Sequence, residues 1–289
     1  MKKTLLLLLA LVAAMSASAQ WGGRTITDTI HSRILGVPRA VNVYLPRSFR
    51  ADTARTYPVL YLLHGMHGDN GSWEWMQASQ VLDRLINSGE ADEMVVVTPH
   101  AGGNPALEQN GYFNVKDWLY EDFFFQELMP EIEKRYRAGG SRDLRAVAGF
   151  SMGGGGATAY AQRHPDAFCA AYAMSALMDI PDNGAAVPAQ RPDDLIDRLT
   201  RSVQANSCTN FVTNADEATR NALRSVQWFV DCGDDDFLLD RNLEFFHAMR
   251  AAGIPLQLRV RDGGHDGEYW HTALYTCLPF VSRAFSANK

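Results

Sequence analysis

Gly149-Phe150-Ser151-Met152-Gly153 fits the pattern G-x-S-x-G. Such a match arises by chance in about one chain of this length in ten, so its weight comes from context. The apolar run Leu144 to Ala148 leads into it, and Gly153 to Gly156 followed by Ala157 continue it. That is the strand, sharp turn and helix on which a nucleophilic serine is presented. Small neighbours let the backbone hold a strained turn, and a helix start aims unpaired N–H groups at a developing oxyanion. Glycines opening a helix cost about 1 kcal/mol each relative to alanine, a cost that a purely structural helix has no evident reason to carry.

A serine hydroxyl needs a base, and on this turn the acid and then the histidine follow the serine in chain order. Of the eight histidines, His164, His247, His265 and His271 come after Ser151. His164 lies a helix length away, His247 reads as mid-helix, and His271 falls beyond the start of the last helix. His265 sits in Arg261-Asp262-Gly263-Gly264-His265-Asp266-Gly267, directly after the last strand, where a parallel sheet carries its catalytic loops. The acid that orients it should follow the preceding strand, in Asp231-Cys232-Gly233-Asp234-Asp235-Asp236-Phe237-Leu238. Four aspartates compete there, and periodicity does not separate them.

Two backbone donors are needed for the oxyanion. Met152 N–H follows the nucleophile, and Met66 N–H, in His64-Gly65-Met66-His67-Gly68-Asp69, is the candidate for the second. His64 and His67 could also hint at a metal, but no third ligand with matching spacing accompanies them, and no metal is expected.

The elements that must position these groups alternate. Arg24 to Ser32 and Ala40 to Leu45 read as an antiparallel pair with one wet face. Tyr57 to Leu63, Met94 to Thr98, Leu144 to Phe150, Phe168 to Met174, Ser225 to Asp231 and Leu256 to Val260 read as strands. Helices are predicted over Gln77 to Asn87, Asp117 to Arg137, Gly153 to Arg163, Arg241 to Ala252 and Tyr269 to Phe285. This alternation predicts an α/β fold with a mainly parallel sheet covered on both faces. The segment 179–224 opens with Pro181, Gly184, Pro188 and Pro192 before turning charged and helical. It reads as a helical, cap-like insertion, with a peripheral excursion as the alternative. With no repeat and no linker composition, residues 20–289 are expected to form one domain.

Lys2 and Lys3 precede the apolar run Leu5 to Met15 and the exit Ser16-Ala17-Ser18-Ala19. A basic start, a short apolar segment and an Ala-x-Ala exit predict a signal peptide over residues 1–19. The run is too short to span a bilayer, which takes about 20 residues. A secreted or periplasmic protein, free of the membrane after cleavage, is expected. Export permits disulfides among Cys169, Cys208, Cys232 and Cys277, either as one bridge between Cys208 and Cys232 or as four buried thiols. At 46% hydrophobic and 21% charged residues the chain can bury a core. A net charge of -6 without a basic run gives no basis for binding nucleic acid.

Taken together, LLHGMHGD, YEDFFFQELMPEIEKRYR, GFSMGG, DCGDDDFL and GGHDGEYW resemble the esterase D and feruloyl esterase group, carbohydrate esterase family 1. The resemblance spans most of the chain after residue 19, in the family's order. It implies an α/β-hydrolase fold and cofactor-free ester hydrolysis through an acyl-enzyme. It selects Asp236, the aspartate before Phe-Leu, as the acid, and Met66 as the second oxyanion donor. Many relatives carry an aromatic directly after the His-Asp or His-Asn pair, where this chain has Gly267.

The expected function is therefore an exported serine carboxylesterase, with Ser151, Asp236 and His265 as its triad. Trp73, Trp75, Tyr112, Phe113, Trp118 and Trp270 are read as loop positions where rings could stack on a phenolic acyl group or a sugar. Of these, Trp73 and Trp270 are the expected substrate contacts, while Phe123, Phe124 and Phe125 are assigned to the core. Feruloyl or acetyl esters on plant polysaccharides are the expected substrates. An acyltransferase or a thioester or peptide hydrolase on the same fold, and a non-catalytic carbohydrate-binding relative, are the alternatives.

Overall fold

The computed structural model describes residues 22–181 and 193–287. The expected signal peptide therefore lies outside the described residues. Ten strands are described: β1 (Arg24–His31), β2 (Pro38–Leu45), β3 (Val59–Leu63), β4 (Val95–Pro99), β5 (Asn114–Val115), β6 (Trp118–Leu119), β7 (Arg145–Phe150), β8 (Ala170–Met174), β9 (Gln227–Gly233) and β10 (Gln257–Arg261). Eight of them form one sheet in the order β1-β2-β4-β3-β7-β8-β9-β10. β1–β2 and β2–β4 are antiparallel, and every pairing from β4 through β10 is parallel.

Side chains on the central strands alternate between two apolar layers. On β3, Val59, Tyr61 and Leu63 join one layer, while Leu60 and Leu62 join the other. β4, β7, β8 and β9 do the same, as strands covered on both faces must. The helices are α1 (Ser72–Trp75), α2 (Ala78–Ser88), α3 (Tyr120–Phe123), α4 (Met129–Tyr136), α5 (Met152–Arg163), α6 (Leu195–Ala205), α7 (Cys208–Thr213), α8 (Glu217–Arg224), α9 (Leu239–Ala251) and α10 (Gly267–Ser286). α10 packs on α2 and across β7, β8 and β9, and α5 packs on β7 and β8. The fold is thus the expected α/β architecture.

Two expectations need correction. The single helix expected over Asp117 to Arg137 is divided. Leu119 pairs with Asn114 in the β5–β6 hairpin, and a π-helical turn, Phe124–Leu128, separates α3 from α4. Pro130 stands in the first turn of α4; lacking an N–H, it cannot donate back to Gln126, and the ladder widens ahead of it. The bridge between Cys208 and Cys232 is not formed, because all four cysteines are free and buried. The Cys208 thiol turns toward the Gly155 carbonyl on α5 at 3.5 Å, whereas Cys232 lies within β9. Burial pushes both thiols up to about 12.

Within the segment read as an insertion, α7 packs on α5 and α9. The start of that segment includes residues 182–192, which lie outside the described residues.

Candidate active site

Ser151 stands between β7 and α5 with φ 55 and ψ −123, a backbone conformation that a residue with a Cβ adopts only under constraint. The constraint is visible. Its N–H donates to Met174 O at 2.9 Å, and its carbonyl accepts from Leu177 N at 2.9 Å and Gly155 N at 3.2 Å. The flanking glycines answer to close approach. A Cβ at Gly149 would lie 2.4 Å from Gly153 O, and one at Gly153 would lie 2.5 Å from both His64 O and Leu63 O. The motif therefore lets α5 start in contact with the end of β3, which brings the His64–Gly68 loop against the serine.

β9 and β10 deliver the other two groups. His265 Nε2 lies 2.9 Å from Ser151 Oγ, and His265 Nδ1 lies 3.0 and 2.9 Å from the two carboxylate oxygens of Asp236. The Asp236 side chain is fully buried, and that of His265 is 17% exposed. Burial alone would raise the Asp236 carboxyl. Its interactions with His265, Ser175 and the Leu238 amide outweigh burial and hold it below the ordinary carboxylate value. An ionised carboxylate on Nδ1 fixes the tautomer with the proton there, leaving Nε2 as an acceptor for the serine proton.

The four competing aspartates are separated by their partners. Asp231 is buried and accepts from the hydroxyls of Tyr172 and Tyr269, each at 2.6 Å, and from Arg259. Asp234 accepts from Gly263 N at 3.1 Å, and Asp235 is exposed. Asp236 alone of the four meets His265. The other three histidines after Ser151 are engaged elsewhere: His164 faces Glu121 at 3.4 Å, His247 lies within α9 against the Phe246 ring, and His271 Nδ1 donates to Met76 O at 2.7 Å.

The β3 loop is clamped from three sides. His64 is buried; its Nδ1 donates to Gly65 O at 2.7 Å and its Nε2 accepts from Ala101 N at 2.9 Å. Tyr112 Oη donates to His64 O at 2.9 Å. Asn110 Nδ2 donates to Met66 O at 2.8 Å and also to the Gly102 and Gly103 carbonyls. A Cβ at Gly65 would sit 3.2 Å from Ser151 Cβ, so the Gly65–Met66 peptide borders the nucleophile. Met152 is the first residue of α5, and its N–H is among those that have no partner within the helix. Asn110 has no motif around it that sequence reading could have used.

With both His64 nitrogens committed to the backbone, that residue has no lone pair left for a metal. Among the described residues the group with metal-ligand spacing is the exposed trio Asp234, Asp235 and Asp262, and exposed acidic groups are common without an ion.

Over Ser151 lies an open cleft of about 640 Å³ lined by Met66, Trp75, Met76, Phe150, His265 and Trp270 among others. Trp270 stacks on Phe150 with centroids 4.2 Å apart and meets the His265 ring edge-on at 5.0 Å. The expectation for Trp73 is corrected: it is 0% exposed, donates to Leu63 O at 3.2 Å and packs in the core. Tyr112, Phe113 and Trp118 are buried as well, as are Phe123 and Phe124. Trp75 is the tryptophan that α1 turns to the cleft, at 80% exposure.

Comparison with known proteins follows the same lines. The Esterase family model matches residues 32–281. A solved ferulic acid esterase is 59% identical with a TM-score of 0.88, covering 91% of this chain and 99% of that one. An esterase of Mycobacterium tuberculosis is 36% identical over 145 residues, which is 49% of this chain and 30% of that protein. An endo-1,4-beta-xylanase/feruloyl esterase of Xylanibacter ruminicola is 31% identical over 145 residues, 48% of this chain and 20% of that protein. The matched part is thus less than a third of either curated relative. With the match to the family model running over most of its length, the chain belongs to the Esterase family.

Proposed function

We propose that the chain is an exported feruloyl esterase-like enzyme, releasing hydroxycinnamoyl or acetyl groups from plant polysaccharides with Ser151, His265 and Asp236 as its catalytic triad. The observation that carries this reading is the unbroken contact from Ser151 Oγ through His265 to Asp236, with 2.9 Å on the serine side, at the floor of an apolar cleft. The 59% identical solved structure is that of a ferulic acid esterase, which supports the acyl class. The basic, apolar and Ala-x-Ala pattern of residues 1–19 supports export.

In the proposed reaction His265 Nε2 takes the proton from Ser151 Oγ as that oxygen attacks the ester carbonyl. Asp236 stabilises the imidazolium that forms. The Met66 and Met152 amides hold the oxyanion, where loss of one donor typically costs about 10²–10³ in rate. Collapse of the tetrahedral intermediate breaks the bond to the alcohol, which leaves with the proton from His265. Water, deprotonated by the same imidazole, then attacks the acyl-serine and releases the acid.

The test is Ser151→Ala, compared with the unaltered enzyme on methyl ferulate, acetylated xylan and p-nitrophenyl acetate. The variant is expected to fold and to lose at least about 10³-fold in kcat. Comparable turnover would remove Ser151 as nucleophile. Turnover of acetylated xylan without turnover of methyl ferulate would reassign the acyl group.

A further inference from the structure

Trp75 is 80% exposed and lines one cleft with Met66, Met76, Phe150 and Trp270, so it belongs to a contiguous apolar wall rather than standing as a lone exposed ring. It is not loosely held. A Cβ at Gly267 would lie 2.7 Å from Trp75 Cζ3 and 3.3 Å from Cη2, so the six-membered ring occupies the space a side chain at 267 would fill. Gly267 opens α10, and Trp270 stands three residues further on, on the same face of that helix. Trp75 therefore leans on the turn that carries Trp270, and Trp270 in turn stacks on Phe150, the neighbour of Ser151. The three rings line one side of the cleft, with Met66 and Met76 also contributing to its lining.

We propose that Trp75 is the specificity-determining residue of this cleft, a stacking platform for a planar aromatic acyl group, resting on the reading of the site as a feruloyl-type esterase. Reach separates the two acyl groups. An acetyl group ends one carbon beyond the reacting carbonyl, so it remains near Ser151 and does not extend to the outer ring of the wall. A phenylpropenoyl group is flat, conjugated and long enough to lie along Phe150, Trp270 and Trp75 in succession. Aromatic stacking adds about 0.5–1.5 kcal/mol beyond burial, and it acts on the aromatic acyl group alone. Gly267 belongs to the same device, because any side chain there would displace the ring.

The experiment measures kcat/KM for methyl ferulate and for p-nitrophenyl acetate in the unaltered enzyme, Trp75→Ala, Trp75→Phe and Gly267→Ala. Thermal melting checks that each variant folds. Trp75→Ala is expected to lose about tenfold or more on methyl ferulate and to stay within about twofold on the acetate ester. Trp75→Phe should recover most of the loss. Gly267→Ala should shift selectivity in the same direction as Trp75→Ala without lowering the melting temperature, since alanine is the better helix former. Equal losses on both esters, or no loss on ferulate, would overturn the role of Trp75 while leaving the esterase reading intact. No turnover of methyl ferulate by the unaltered enzyme would overturn both the feruloyl reading and this platform.

Discussion

Two loops at the carboxyl ends of parallel strands each present a histidine, and they hold it in opposite ways. After β3, His64 spends one nitrogen on Gly65 O and the other on Ala101 N, and burial lowers it to about 4. Near pH 7 it is a neutral brace for the backbone beside Ser151. After β10, His265 spends one nitrogen on Asp236 and turns the other to Ser151 Oγ. The difference lies in what the second nitrogen meets. A backbone amide makes a strut, whereas a hydroxyl that can lose its proton makes a base in the proposed reaction.

The contrast is broken most severely on the β10 side. Asp236→Asn keeps the shape of the contact but no longer imposes the tautomer, and kcat is expected to fall by about 10⁴; initial rates on p-nitrophenyl acetate measure it. Gly153→Ala attacks the β3 side through the backbone. Its Cβ would lie 2.5 Å from His64 O and Leu63 O, neither of which can rotate away. A loss of about 1–3 kcal/mol in stability and about 10² in kcat from displacement of the His64–Gly68 loop beside Ser151 are expected. Urea unfolding read alongside kinetics tests both, and a fully active, equally stable variant would contradict the close approach.

A finer cut removes a single clamp. Asn110→Ala deprives the Met66, Gly102 and Gly103 carbonyls of their shared donor. The expected result is a fall of about tenfold in kcat with KM nearly unchanged, since in the proposed reaction the Met66 amide serves the transition state more than the bound substrate. Parallel losses in binding would instead place Asn110 in ground-state recognition.

The smallest effect is a pH dependence of stability. His64 is lowered from 6.5 to about 4 in the fold, so between those values the unfolded chain binds a proton that the native protein does not. Its contribution is complete above about pH 6.5 and is lost as the pH falls toward about 4. His100, also lowered by burial and by Arg39, acts in the same direction. Between about pH 7 and about pH 5 the native protein should lose roughly 2 kcal/mol through His64. His64→Gln should show a shallower decline in its denaturation midpoint, and an identical decline would assign the acid sensitivity elsewhere.

Much of the architecture is legible in the residues because local pattern and tertiary need agree. The central strands fall within two residues of the apolar runs that announce them, and α5 begins one residue before its expected start. Failures occur where local pattern is silent. Trp73 and Trp75 lie two apart in a four-residue helix, too short for periodicity to mark the inward face, and helical geometry sends them to opposite sides. The region from Asp117 to Arg137 has helical composition throughout, yet a strand pairing at Leu119 and a proline at 130 divide it. Cys208 and Cys232 have suitable chemistry for a bridge, but different packing partners.

By itself the sequence determined the order of the site: a strand-turn-helix around Ser151, then an acidic loop, then a glycine-rich loop with His265. Backbone strain, small neighbours and strand-end loops leave marks in residue type that need no partner to be read. Which of four aspartates meets His265, and which tryptophan meets the cleft, was decided only by tertiary structure. Those choices depend on a few ångströms between segments far apart in the chain, and residue type alone holds no record of such distances.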